Sequence, residues 1–231
     1  MAPGVHQLRA LACQVFALLE RDQVTLIDSG APGSAPLILR QLRDLGCEPS
    51  AVTRVILTHY HIDHRGAAAD LRRATGAEVL IHADEAPYLR GDRPYPNPVQ
   101  DPLRAVLVAP LMAACRGSPL PVQEVNEGDL LDVMGGLRVH HTPGHTRGSI
   151  ALSLPAQGLL FSGDAMGFRH RRLEPPDWLV SEDTATARAS IERLASLDIE
   201  TICFSHFPAL QRHARAELRK LVGAWSGEDT L

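Results

Sequence analysis

The chain has 231 residues, 45% hydrophobic and 22% charged, which suits one sizeable core over residues 1–231 and excludes wholesale disorder. Lys+Arg 23 against Asp+Glu 27 leaves a formal net charge of −4, a poor electrostatic match for a phosphate backbone, so dedicated nucleic-acid binding loses ground. The longest nearly unbroken apolar stretch, Ala105 to Cys115, contains a proline and is too short to span a bilayer.

Near the N-terminus, Arg9 precedes the apolar run Leu11 to Leu19. A signal peptide is disfavoured, because that run enters Glu20-Arg21-Asp22 without a small-residue cleavage site. Cys13 to Leu19 and Val24 to Ile27 read instead as the two arms of a hairpin. Ala35 to Leu45 reads as a helix ended by Gly46, Val52 to Leu57 as a short buried strand, Ala67 to Ala74 as a helix stopped by Thr75-Gly76, and Glu78 to Ile81 as a strand. Arg90 to Val122 is too rich in proline for regular structure throughout and reads as a lid over a site, with a plain surface excursion as the alternative. Leu130 to Val133, Leu137 to His141, Ser149 to Leu154 and Leu159 to Ser162 read as strands between glycine or proline turns. Glu182 to Leu197 has helical periodicity, Ile199 to Phe204 reads as a strand, and Ala209 to Val222 as a closing helix. This order suggests an α/β chain of the α+β type, two sheets with helices outside rather than one doubly wound sheet. The four cysteines, Cys13, Cys47, Cys115 and Cys203, form no CxxC and suit reduced thiols in a cytoplasmic protein.

Eleven histidines are the unusual count. Thr58-His59-Tyr60-His61-Ile62-Asp63-His64 follows directly after a predicted strand. In extended backbone alternate side chains share a side, so His59 and His61 can face one ion. Asp63 and His64 are adjacent, so a turn toward Gly66-Ala67 is needed to aim them at a neighbouring ion. Three further candidates lie downstream. His145 follows Pro143-Gly144, a pair that fits the centre of a type II turn. Asp164 follows the strand ending near Phe161, and His206 follows the strand ending near Phe204. Every candidate lies at a predicted strand end, the edge where α/β architectures gather their sites.

HxHxDH, a TPGHT histidine, a GDA aspartate and a late histidine together resemble the metallo-β-lactamase-fold superfamily. Within it, the chain resembles single-domain hydrolases related to glyoxalase II and the acyl-homoserine lactonases. The resemblance runs from about Cys13 to His206 and implies a four-layer αββα sandwich with a dinuclear metal site at one edge of the sheets. By position it implies His59, His61 and His145 as ligands of a first metal, Asp63, His64 and His206 as ligands of a second, and Asp164 as the bridging carboxylate. It also implies Asp28 as an aspartate orienting a ligand histidine. Two features depart from relatives. Ser205-His206-Phe207 replaces a glycine-rich GHG, which narrows or shifts the second pocket, and the 25 residues after His206 (231 − 206) are too few for the helical domain by which glyoxalase II binds glutathione.

A nitrogen and oxygen donor set without thiolate suits zinc, with manganese or iron as further choices. The expected activity is hydrolysis of an ester, lactone or thioester. A hydroxide shared by two ions roughly 3.5–4 Å apart would attack the carbonyl, with Asp63 as the candidate proton shuttle. The expected partner is a small molecule, with an anionic group suggested by Arg169-His170-Arg171-Arg172. No nucleic acid or membrane is expected, and a homodimer is an expectation from the family alone. A mononuclear iron oxidoreductase of the persulfide-dioxygenase kind and a phosphodiesterase are the alternatives. His82 and His140 read as structural, His141 as support for the site, His6 and His213 as surface residues, and Tyr60 and Trp178 as candidate pocket walls.

Overall fold

The computed structural model describes residues 2–96 and 119–228. Most of the segment read as a lid, residues 97–118, and with it Cys115, lies outside the described residues.

The first sheet contains β1 (Val5–Arg9), β2 (Gln14–Glu20), β3 (Gln23–Ile27), β4 (Val52–Ile56), β5 (Glu78–His82) and β6 (Gln123–Val125), side by side in that order. The pairs β1–β2 and β2–β3 are antiparallel, and each pair from β3 to β6 is parallel. Parallel neighbours require crossovers. These contain α1 (Ala35–Asp44), the short α2 (Ile62–Arg65), α3 (Ala68–Thr75) and α4 (Ala86–Arg90). The second sheet contains β7 (Leu130–Leu131), β8 (Leu137–His141), β9 (Ile150–Leu154) and β10 (Leu159–Phe161). After β10 a separate hairpin forms from β11 (Gly167–Arg169) and β12 (Arg172–Glu174). The chain then makes α5 (Thr184–Leu194), returns as β13 (Thr201–Cys203) parallel to β10, adds β14 (Leu210–Gln211), and closes with α6 (Ala214–Glu228).

Period-two alternation separates the side chains into three apolar layers. Phe16, Leu18, Ile27, Ile56 and Leu80 from the first sheet meet Val139, Leu152, Leu159, Phe161 and Cys203 from the second. Their chain neighbours point the other way. Val15, Ala17, Leu26, Val55, Val79 and Ile81 pack under α1, α3 and α4, while Ala151, Leu160 and Ile202 pack under α5 and α6. Register fixes the central layer: Leu152 pairs with Val139 on one side and Phe161 on the other. Each fully buried side chain of this size contributes roughly 1.5–3 kcal/mol relative to an exposed one. The result is the four-layer αββα sandwich that the motifs imply.

Several elements differ from the sequence reading. The predicted hairpin is β2–β3, and β1 extends it into three strands because Val5 and Leu8 bury alternate faces. Leu130 to Val133 is a strand only over two residues. The closing helix begins at Ala214 rather than Ala209, because Leu210 and Gln211 pair with Ile202 and Thr201 as an edge strand. Short pieces such as β6 and β14 carry too few residues for any periodicity to register.

Candidate metal centre

The carboxyl ends of β3, β4, β10 and β13 lie along one edge, and the segments leaving them hold Asp28, His59 to His64, Asp164 and His206. The connection from β8 to β9 adds His145. In the HxHxDH segment the strand ends at Ile56 and the backbone bends over Thr58 to Tyr60, so His59 and His61 are brought together by a bent loop rather than by the extended alternation expected. His61 caps α2, both His64 and Arg65 donate their amides to its carbonyl, and this helical turn swings Asp63 and His64 round to the inner side. Gly144 has φ +131° and sits so close to α5 that a Cβ there would stand 2.2 Å from the Ala187 nitrogen. Asp183, the N-cap of α5, donates its amide to the Gly144 carbonyl and accepts from the Ala185 and Thr186 amides. The N-terminus of α5 thus clamps the turn that carries His145.

The seven predicted residues converge. His145 Nε2 lies 3.0 Å from His61 Nδ1, and the His59 ring centroid is 4.6 Å from that of His61 and 4.8 Å from that of His145. His64 Nε2 lies 3.1 Å from His206 Nε2, with Asp63 Oδ2 at 3.7 Å and 3.4 Å from those two atoms. Between the groups stands Asp164, whose Oδ2 is 3.5 Å from His64 Nε2, 3.6 Å from His145 Nε2 and 3.3 Å from His206 Nε2. The donor atoms of His59, His61 and His145 can hold one cation, as can those of Asp63, His64 and His206.

Burial and charge divide these groups. Desolvation pushes His59 and His61 well below the usual histidine range and His145 also downward, helped by neighbouring imidazoles, so these three are held neutral. Burial works against the charged form of His64 as well, but Asp164 and Asp28 outweigh it and hold that imidazole well above its ordinary value. For His206, Asp164 likewise overcomes desolvation. Burial alone would raise the Asp164 carboxyl, yet His64 and His206 hold it well below the usual carboxylate range.

Most of the ring nitrogens facing away from the cluster have acceptors, which orients the rings. His64 Nδ1 meets Asp28 Oδ2 at 2.9 Å, the contact expected for Asp28. His206 Nδ1 meets the carbonyl of Ala12 at 3.0 Å, His145 Nδ1 meets Ser181 Oγ at 3.3 Å, and His59 Nδ1 meets Thr58 Oγ1 at 3.1 Å. Thr58 also donates its amide to Asp28 Oδ1 at 2.8 Å. Sequence reading did not find Thr58, Ser181 or Ala12 as supports. An Ala12 carbonyl carries no side-chain signal, and Ser181 is remote in sequence. Thr58 was visible as the residue opening the motif.

A cavity of about 870 Å³ opens beside the cluster, with Met166, Pro175, Pro176, Leu179 and Phe207 among its walls. Arg169 and Arg188 also line it. The basic run resolves into a hairpin turn: His170 and Arg171, with φ 49° and 61°, form the two-residue connection between β11 and β12, and only Arg169 of the run faces the cavity, 3.8 Å from Asp177. Phe207 is a wall of the cavity, set edge-on against Phe204. Tyr60 packs beside Tyr88 in the core rather than lining the cavity, and nothing is described of the Trp178 side chain. His141 bonds the Arg147 carbonyl at 2.8 Å and so braces the connection that carries His145. Its ring stacks on His82 with centroids 4.0 Å apart and planes at 14°. His82, Asp84 and His141 also bring donor atoms together, with His141 Nε2 on the Arg147 carbonyl and His82 Nδ1 accepting the Asp84 amide at 3.2 Å. His140 bonds Ser153, His6 is half-buried in β1, and His213 is exposed. Among the described residues Cys13, Cys47 and Cys203 are free thiols, and no helix is long and apolar enough to cross a membrane.

A family model described as the metallo-beta-lactamase superfamily matches residues 8–206. The chain is 30% identical over 244 residues to the probable metallo-hydrolase YflN of Bacillus subtilis, covering 97% of this chain and 92% of that protein. It is 33% identical over 199 residues to a hydroxyacylglutathione hydrolase of Cereibacter sphaeroides, covering 83% of this chain and 62% of that protein. A crystal structure of a metallo-beta-lactamase family protein from Thermus thermophilus superposes with TM-score 0.76 at 22% identity, covering 98% of this chain and 80% of that one.

Proposed function

The chain belongs to the metallo-β-lactamase superfamily, and from that premise we propose that it is a hydrolase that holds two divalent ions, zinc first, and cleaves an ester, lactone or thioester. The observation that carries the reading is the central position of Asp164, within 3.6 Å of ring nitrogens from both histidine groups.

The residues present fit such a centre. His59 Nε2 is buried without a hydrogen-bond partner, and the pairs His61–His145 and His64–His206 bring imidazole nitrogens within about hydrogen-bond distance, 3.0 and 3.1 Å. Neutral imidazoles whose lone pairs converge repel unless a proton or a cation lies among them. Desolvation keeps the first trio in the neutral, ligating form. His59, His61 and His145 would hold one ion, Asp63, His64 and His206 the other, and Asp164 both. When bound, two such ions supply a Lewis acid for a carbonyl oxygen and a water acidified to a pKa of about 7.

The chain supplies the rest. The side chain of Asp63 is 31% exposed on the cavity wall, so its carboxylate could take the proton released by the nucleophilic water. The walls formed by Met166, Pro175, Pro176, Leu179 and Phe207 exclude water from an acyl group. Outside the clustered residues, the charged side chains on the walls are Arg169, Arg188, Glu174 and Asp177; a guanidinium does not release its proton, and an ionised carboxylate has none to give. That supports leaving groups able to depart unprotonated, thiolates and activated alkoxides, over amines. The relation to a hydroxyacylglutathione hydrolase supports a thioester among them.

Metal analysis of the purified protein, combined with a panel of lactones, thioesters, phosphodiesters and persulfides, tests the proposal. Two ions per chain and turnover of a carbonyl substrate are expected, with Asp164→Ala reducing both bound metal and kcat at least 100-fold. One iron per chain with oxygen consumption on a persulfide overturns the hydrolase reading, as does full activity of a metal-free Asp164→Ala protein.

A further inference from the structure

Glu85, at the entrance to α4, is fully buried, and none of the described salt bridges reaches it. A carboxyl group in such a place is costly unless its oxygens are satisfied. The donors come from the turn that carries His145. Thr146, next to His145, donates its hydroxyl to Glu85 Oε1, and the Gly148 amide donates to the same oxygen at 3.2 Å. The other oxygen, Oε2, is buried without a hydrogen-bond partner. The packing is close: a Cβ at Gly148 would stand 2.5 Å from Glu85 Cγ. Thr146 is itself held on the far side by Ser149 Oγ at 2.7 Å.

These contacts join the connection after β5 to a turn of the other sheet that β-sheet pairing does not hold to it. The HxH segment leaves β4 in the first sheet, and the His145 turn links β8 to β9 in the second. We propose that Glu85 is a positioning residue of the metal centre, tying the His145 turn to the first sheet, whose β4 leads into His59 and His61, so that three imidazoles from two sheets keep the spacing of one ion. It touches neither the ion nor the substrate. The inference rests on the metal reading above.

The test is metal affinity by chelator competition, site by site, in the full chain. Glu85→Leu deletes the acceptors, and Thr146→Val deletes the main hydrogen bond from the other end while leaving Glu85 in place. Each is expected to weaken the site of the His59, His61 and His145 trio about 10–100-fold while the Asp63, His64 and His206 site changes much less. Glu85→Gln keeps Oε1 as an acceptor and recovers most of the loss. Leu218→Ala, buried in α6, serves as a control that lowers stability from an element carrying neither Glu85 nor the His145 turn. Folded Glu85→Leu and Thr146→Val proteins with wild-type affinity at both sites overturn the proposal. So does an equal loss at both sites that Leu218→Ala reproduces, or a Glu85→Gln protein no better than Glu85→Leu. A wild-type protein that binds no metal tightly would instead overturn the reading on which the proposal rests.

Discussion

At the scale of single residues, the same side-chain type takes opposite states within a few ångströms. Burial pushes His59 and His61 well below the usual histidine range, while without an ion Asp164 and Asp28 hold His64, buried as deeply, well above it. The difference lies in which carboxylates reach each ring, and no feature of the HxHxDH string encodes it. Glu85 shows the opposite imbalance, since burial outweighs its donors and pushes it up to about 8. An acid whose folded pKa is raised contributes stability that is fully present below its unfolded value, near 4.5, and is lost as pH rises toward about 8. The stability difference between Glu85→Gln and wild type should therefore shift in favour of the variant from pH 5 to pH 8. Urea midpoints of both proteins across that range measure it, and a pH-independent difference would show that Glu85 stays ionised in the fold.

At the scale of elements, turns decide where the chemistry points. The motif string shows that His145 sits beyond a Pro-Gly pair, but the turn is held from outside by α5, through Asp183 and the backbone at Ala187. Backbone atoms cannot move aside as a flexible side chain can, and φ +131° disfavours any other residue at Gly144. Gly144→Ala should cost at least ~2 kcal/mol of stability and lower bound metal at the first trio, read by chemical denaturation and metal analysis. A variant as stable as wild type would mean that α5 does not clamp the turn. The basic run after Asp164 teaches the converse lesson. As a string it suggests an anion site; in the hairpin His170 and Arg171 form the connection, and Arg169 is the residue of the run that lines the cavity, with Arg188.

At the scale of the whole molecule, the candidate ligands come from both sheets, so bound ions would bridge the two halves of the sandwich at one edge. Metal that binds the folded chain alone stabilises it by about 2.7 kcal/mol per site at 100 times its dissociation constant. Chelation should lower the melting temperature, and stoichiometric zinc should restore it. A melting temperature that ignores both would refute bridging. The sandwich itself needs no ion for its cohesion, because three apolar layers already hold the sheets and helices together.

The order of strands and helices, the two-sheet architecture and the metal-capable residues were readable from the chain because each is a local signal. Alternation marks buried strands, and chemistry at a strand end marks a site. What only the folded molecule decided is which side chains become neighbours across the gap between sheets. Asp164 stands within reach of His64, His145 and His206, and Glu85 within reach of Thr146 and Gly148, because layers pack and bring separate connections to one edge. Backbone carbonyls, short edge strands and buried carboxyls leave no periodic trace, so their roles emerge only when the packing sets the distances.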